Sequence, residues 1–131
     1  FDHSYPASVA VGPRAPLDCA WQRRILPDEV LLFRYAALTF NGHRIHYDRS
    51  YASQEGYPGL VVQGPLLATL LADLLRRNLP DKKVQRLTIR ARAPVFDNLP
   101  FWVCGTPQES GNIELWVRDS AGGLAMTASA H

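Results

Sequence analysis

Residues 66–77 read LLATLLADLLRR. Leu66, Leu67, Leu70, Leu71, Leu74 and Leu75 recur at helical spacing, while Asp73, Arg76 and Arg77 fall toward the other side or the end. A leucine stripe that wide belongs in a core. From Val84 the pattern changes to simple alternation. Leu87, Ile89, Ala91 and Ala93 exchange places with Thr88, Arg90 and Arg92, as in a strand with one buried face. Asn98-Leu99-Pro100 breaks that strand. Further strands are expected at residues 101–106, 113–118 and 124–130, joined by the turn-forming runs Glu109-Ser110-Gly111-Asn112 and Ser120-Ala121-Gly122-Gly123. One long apolar helix followed by an antiparallel meander implies an α+β domain with the helix packed on one face of the sheet.

Upstream of the helix the signals are shorter. Residues 1–19 carry Pro6, Pro13 and Pro16 among small residues and read as an irregular arm or linker, leaving residues 20–131 as a single domain. Ala20 to Ile25 suits a short strand. Pro27-Asp28-Glu29 starts a helix whose apolar side is expected from Val30, Leu31, Tyr35 and Leu38. Asp48 to Gln54 suits a turn or two of helix, and Glu55-Gly56-Tyr57-Pro58-Gly59 reads as a turn.

Composition narrows the function classes. The chain has 131 residues, 47% of them hydrophobic and 20% charged, which suits one folded domain rather than a disordered segment. A formal charge of +2 is too small to imply nucleic acid or an anionic membrane, although Arg76, Arg77, Lys82, Lys83, Arg86, Arg90 and Arg92 could serve a small anionic ligand. The most apolar window, Gly59 to Leu75, is broken by Gln63, Gly64, Pro65 and Asp73 and is too short to span a bilayer. The expected location is the cytoplasm. Cys19 and Cys104 lack the spacing of a structural zinc site, and a disulfide between them has no support in the sequence.

The chemistry is concentrated in residues 38–48, LTFNGHRIHYD. His46 suits general acid–base work because an imidazole titrates near neutrality, though a histidine near a helix end is more often structural. His43, three residues earlier, raises the idea of a metal, but two histidines without a suitably spaced third ligand do not make a site. Asp48 reads as a helix cap or local ion-pair partner. Arg44 is either a surface residue or a partner for a carboxylate.

The same stretch, with Leu60-Val61-Val62-Gln63-Gly64 after it, resembles the MaoC-like (hydratase 2) family of enoyl-thioester hydratases and dehydratases. Its motif runs Ser/Thr-Gly-Asp-x-Asn-Pro-Leu/Ile-His, followed by Pro-Ile-x-His-Gly at the start of the central helix. The resemblance covers roughly residues 20–131, and RYAALTFNGHRIHYD with EGYPGLVV narrows it to the subgroup of mesaconyl-C4-CoA hydratase and type 2 3-hydroxyacyl-thioester dehydratase. Asn41 stands where the wider family has an aspartate, His43-Arg44 replaces Asn-Pro, and Gln63 replaces the histidine before the glycine.

The resemblance implies a hot-dog fold, an antiparallel sheet of about five strands wrapped around the long helix. It also implies a hydro-lyase acting on a 2-enoyl or 3-hydroxyacyl thioester, with CoA or acyl carrier protein as the carrier and no metal or other cofactor. His46 and Asn41 become the catalytic candidates and the Gly64 N–H the donor to the thioester oxygen. Arg44, His43, Tyr57, Gln63, Arg90 and Arg92 are candidate substrate contacts, with Arg44 suited to the free carboxylate of a dicarboxylic acyl group. A homodimer is the expected assembly, with no nucleic-acid or membrane partner. A thioesterase on the same fold and a noncatalytic acyl-thioester binding domain are the alternatives.

Overall fold

The structure, a computed structural model, describes residues 13–131. The elements run β1 (Trp21–Ile25), α1 (Glu29–Leu38), a single 3-10 turn (Arg44–His46), α2 (Arg49–Gln54), α3 (Gly64–Asn78), β2 (Leu87–Ala91), β3 (Phe101–Pro107), β4 (Ile113–Arg118) and β5 (Leu124–Ala130). The strands form one antiparallel sheet in the order β1-β3-β4-β5-β2. The central helix α3 lies across β3, with β1, β4 and β5 alongside, which is the expected α+β arrangement.

Leu66, Leu67, Leu71, Leu74 and Leu75 of α3 are buried. They meet the side chains that alternation turns toward the helix: Phe101 and Val103 on β3, Ile113, Leu115 and Val117 on β4, and Met126, Ala128 and Ala130 on β5. Pro65 in the first turn of α3 lacks an N–H that the helix could not have used, and Arg76 and Arg77 sit in its last turn, where the dipole favours cations. Among the described residues no helix is long and apolar enough to cross a membrane.

Two expectations about faces need correction. The buried residues of α1 are Leu32 and Ala36, with Leu31 and Tyr35 partly covered, whereas Val30 and Leu38 are 52% and 79% exposed. Apolar residues run almost all the way round this helix, so periodicity could not choose the inner face. Likewise Ile89 and Ala91 on β2 are exposed rather than buried. β2 is an edge strand of the sheet with β5 as its neighbour, and only Leu87 at its start packs against the core.

The arm expected over residues 1–19 lies outside the described residues up to residue 12. Its described part is tied to the sheet: the Leu124 N–H donates to the Pro13 carbonyl (2.6 Å) and the Ala15 N–H to that of Gly122 (3.0 Å). Ala15 then joins Cys104 and Trp116, with Cys19, Trp102 and Leu124 against them, in a small apolar cluster. Trp102 and Cys104 alternate with the core residues of β3, so this cluster occupies the sheet face opposite α3.

Both cysteines are free thiols. Burial, and then the neighbouring Cys19, pushes the Cys104 thiol from 9.0 up to about 12. At pH 8 one thiol, Cys19, is therefore expected to react promptly with a disulfide reagent, and two after denaturation. The folded protein also keeps a proton that the unfolded thiol releases near pH 9. Stability is consequently expected to fall as pH rises from about 9 toward 12, and Cys104→Ala to flatten that part of a denaturation series.

Candidate active site

α1 opens with the Asp28 carboxylate accepting from the Leu31 N–H (2.8 Å) and closes at Thr39, whose hydroxyl donates to the Tyr35 carbonyl (2.7 Å). Phe40 follows with a positive φ of 55°, a strained conformation for an aromatic residue, and its side chain is 95% exposed. That turn lets the Asn41 N–H reach back to the Ala36 carbonyl (2.9 Å). The Asn41 side-chain oxygen in turn accepts from the His43 N–H (3.1 Å), closing a local turn. The Tyr47 hydroxyl donates to the Gly42 carbonyl (3.0 Å) and fixes the far end of the loop.

The 3-10 turn then carries Ile45 and His46 inward, and both are buried. The His46 Nδ1 lies 2.7 Å from the Val61 carbonyl oxygen. A carbonyl only accepts, so Nδ1 carries the hydrogen and Nε2 is the basic nitrogen of the neutral ring. Val61 lies three residues before Gly64. The His43 and His46 rings are 5.7 Å apart and tilted by 53°. Among the described residues no three His, Cys, Asp or Glu side chains are grouped as metal ligands.

Gly64 is the first residue of α3 and is buried. Backbone N–H groups in a first helical turn have no partner within the helix and point out of its positive end. Gln63, just before it, is 1% exposed, and its side-chain NH2 donates to the Leu32 carbonyl (2.9 Å), tying the start of α3 to α1. The Gln63 Oε1 is buried and has no hydrogen-bond partner among the described residues. The fold thus brings Asn41, His43, His46, Gln63 and Gly64 toward the junction of α1, the 3-10 turn and α3. A cavity of about 440 Å³ opens beside Asn41, lined also by Phe33, Ala36, Ala37, Phe40, Gly42 and Tyr47.

The other candidates are placed differently. Arg44 is exposed, donates to Asp48 (2.9 Å) and lies 4.4 Å from the centre of the Tyr51 ring. The Asp48 carboxyl is held below its ordinary range first by the Tyr51 N–H and then by Arg44, so it acts as the cap of α2. Tyr57 is packed in the core beside Phe96, and burial raises its phenol above the usual value. Arg90 and Arg92 are exposed on and just after β2, with Arg90 opposite Thr127. The sequence reading missed Asp97, a nearly buried carboxylate that binds the Leu60 N–H (3.0 Å) and Arg49 (2.6 Å). The available signal is an aspartate ending the apolar run Ala93-Pro94-Val95-Phe96, just before the strand break at Asn98-Leu99-Pro100.

Residues 2–97 match the model of the family described as hydroxyacyl-thioester dehydratase type 2. The chain is 45% identical over 115 residues to the mesaconyl-C(4)-CoA hydratase of Chloroflexus aurantiacus, covering 87% of this chain and 40% of that protein. It is 40% identical over 94 residues to the mitochondrial hydroxyacyl-thioester dehydratase type 2 of Schizosaccharomyces pombe, covering 70% of this chain and 30% of that one. It therefore spans well under half the length of these relatives.

Among solved structures, an (R)-hydratase from A. caviae superposes with a TM-score of 0.70 at 24% identity, covering 94% of this chain and 95% of that one. A MaoC-like dehydratase from Phytophthora capsici gives 0.76 at 13% identity, covering 99% and 44% respectively. These two likenesses establish the hot-dog fold. The extent of the family match goes further: the chain belongs to the hydroxyacyl-thioester dehydratase type 2 family.

Proposed function

We propose that this domain, over residues 20–131, is a hydro-lyase that interconverts a 2-enoyl thioester and its 3-hydroxyacyl counterpart, with CoA or acyl carrier protein as the carrier. The observation that carries the reading is the buried His46, held through Nδ1 by the Val61 carbonyl just before the Gly64 helix start. In the hydration direction His46 Nε2 takes a proton from water as the water oxygen bonds to the β-carbon. The α–β double bond shifts electrons toward the thioester carbonyl, and the Gly64 N–H stabilises the enolate oxygen. The imidazolium then returns the proton to the α-carbon, so the net change is one added water. Asn41 cannot ionise and orients the water through its amide.

The apolar cavity beside Asn41 suits an acyl chain. His46 has no exposed surface, so a bound thioester reaches it only after neighbouring side chains yield. A dicarboxylic acyl group such as mesaconyl would have to draw Arg44 away from Asp48. The open edge of β2, exposed on both faces, supports pairing with a second copy as a homodimer. The cytoplasm is the proposed compartment, although the Schizosaccharomyces pombe relative is mitochondrial.

The deciding assay follows the conjugated enoyl-thioester absorbance with crotonyl-CoA and mesaconyl-C4-CoA in parallel. Decay without release of CoA thiol is the expected result. Thiol release would instead identify a thioesterase, and binding without decay a noncatalytic acyl-thioester domain.

A further inference from the structure

The hold on His46 extends to residues far from it in sequence. Leu60, Val61 and Val62 are 1%, 1% and 3% exposed, yet belong to no helix or regular strand. Their buried backbone groups need partners. The Val61 N–H donates to the Ile45 carbonyl (2.9 Å), the Val61 carbonyl accepts from His46, and the Val62 N–H donates to the Val95 carbonyl (2.8 Å). Leu60 is gripped from both sides by one residue: its N–H donates to Asp97 Oδ1 (3.0 Å) and its carbonyl accepts from the Asp97 N–H (3.0 Å).

The Leu60 carbonyl and Val61 N–H belong to one peptide plane, so Asp97 and Ile45 fix that plane from opposite sides. The next carbonyl along the chain is the one that orients His46. Arg49 completes the clamp, its Nη2 2.6 Å from Asp97 Oδ2 and its Nη1 3.3 Å from Oδ1. The Asp97 side chain is 1% exposed and that of Arg49 47%, so the charge is introduced from the surface onto a buried carboxylate. Gly59 leaves room for the arrangement, since a Cβ there would stand 2.8 Å from Asp97 Oδ1.

We propose that Asp97, clamped by Arg49, is a positioning residue for the reaction, setting the orientation and tautomer of His46 through the Leu60–Val61 peptide. The proposal deepens the hydratase reading and rests on it for its kinetic part. Asp97→Asn keeps the side-chain size but removes the negative charge and replaces the Oδ2 acceptor, which Arg49 Nη2 meets at 2.6 Å, with an NH2 that only donates and faces the guanidinium. Its kcat for crotonyl-CoA hydration is expected to fall about tenfold or more, with KM within about threefold, because a reacting group is misplaced while substrate contacts remain. Arg49→Lys keeps the charge but loses the fork, and is expected to lose less. Gly59→Ala keeps every charge, displaces the Asp97 carboxylate and is expected to reproduce the kcat-selective loss.

A second readout does not depend on turnover. Imidazole nitrogen resonances of the ligand-free protein are expected to show His46 as the Nδ1–H form in the wild type and as a tautomer mixture in Asp97→Asn. A cooperatively folded Asp97→Asn with wild-type kcat and an unchanged tautomer overturns the proposal. Should that variant not fold, Arg49→Lys and Gly59→Ala decide it by the same two criteria. If the wild type does not hydrate the thioester, the hydratase reading fails on its own, while the nitrogen resonances still decide whether Asp97 orients His46.

Discussion

His46→Ala is expected to lower kcat for crotonyl-CoA hydration by about three orders of magnitude, within the range that general acid–base groups contribute. The size of the effect follows from the demands on this one side chain. Asn41 cannot exchange a proton at neutral pH, so in the proposed mechanism His46 both removes the proton from water and delivers one to carbon. The imidazole is fully buried and hydrogen-bonded, so truncation also empties a polar space that water can enter. His46→Gln fills much of that space without basicity, and its activity is expected to stay near that of the alanine variant. Progress curves on crotonyl-CoA for the three proteins provide the check, and an alanine variant within tenfold of wild type would remove His46 from the mechanism.

Leu71→Ala is expected to cost about 2–5 kcal/mol of folding stability. Leu71 is wholly buried at the middle of α3 and belongs to the main core. The helix cannot move inward to refill the volume, because its first turn is tied to α1 through Gln63 and its flank lies against the sheet. Urea unfolding should show a lower midpoint with an unchanged slope, since the surface exposed on unfolding is nearly the same. Leu70→Ala, on the same helix but only partly buried, is expected to cost clearly less.

The leucine stripe of α3 and the meander of β3 to β5 were legible because each is a strong, regular pattern with turn residues between. Expected strands at 113–118 and 124–130 coincide with β4 and β5, where Gly111 and Gly122 take φ values of 92° and 86° at the turns. The faces of α1 and β2 were not legible. Burial there depends on which neighbours cover an element, and an edge strand can alternate perfectly while standing in solvent.

In the candidate site, the motif around Asn41 and His46 stood out because its residue types are chemically unusual together. Arg44 was harder to read, since its pairing with Asp48 and stacking on Tyr51 arise only once the 3-10 turn is followed by α2. The anchors of the site, the carbonyls of Leu32 and Val61, left no trace in the sequence because any residue supplies a carbonyl. Asp97 did leave one, but nothing local ties it to Leu60, 37 positions away.

The stretch from Leu60 to Val62 also bears on how the molecule opens. Its three amides bond to three separate places, Asp97, Ile45 and Val95, and it leads directly into the first turn of the core helix. Such a segment cannot fray from one end as a terminal turn does. Releasing any of it uncovers apolar core and frees hydrogen-bonding groups anchored elsewhere, so its opening merges with global unfolding. Most active-site loops belong to the least stable part of their protein; here the segment that orients the proposed base belongs to the most stable part.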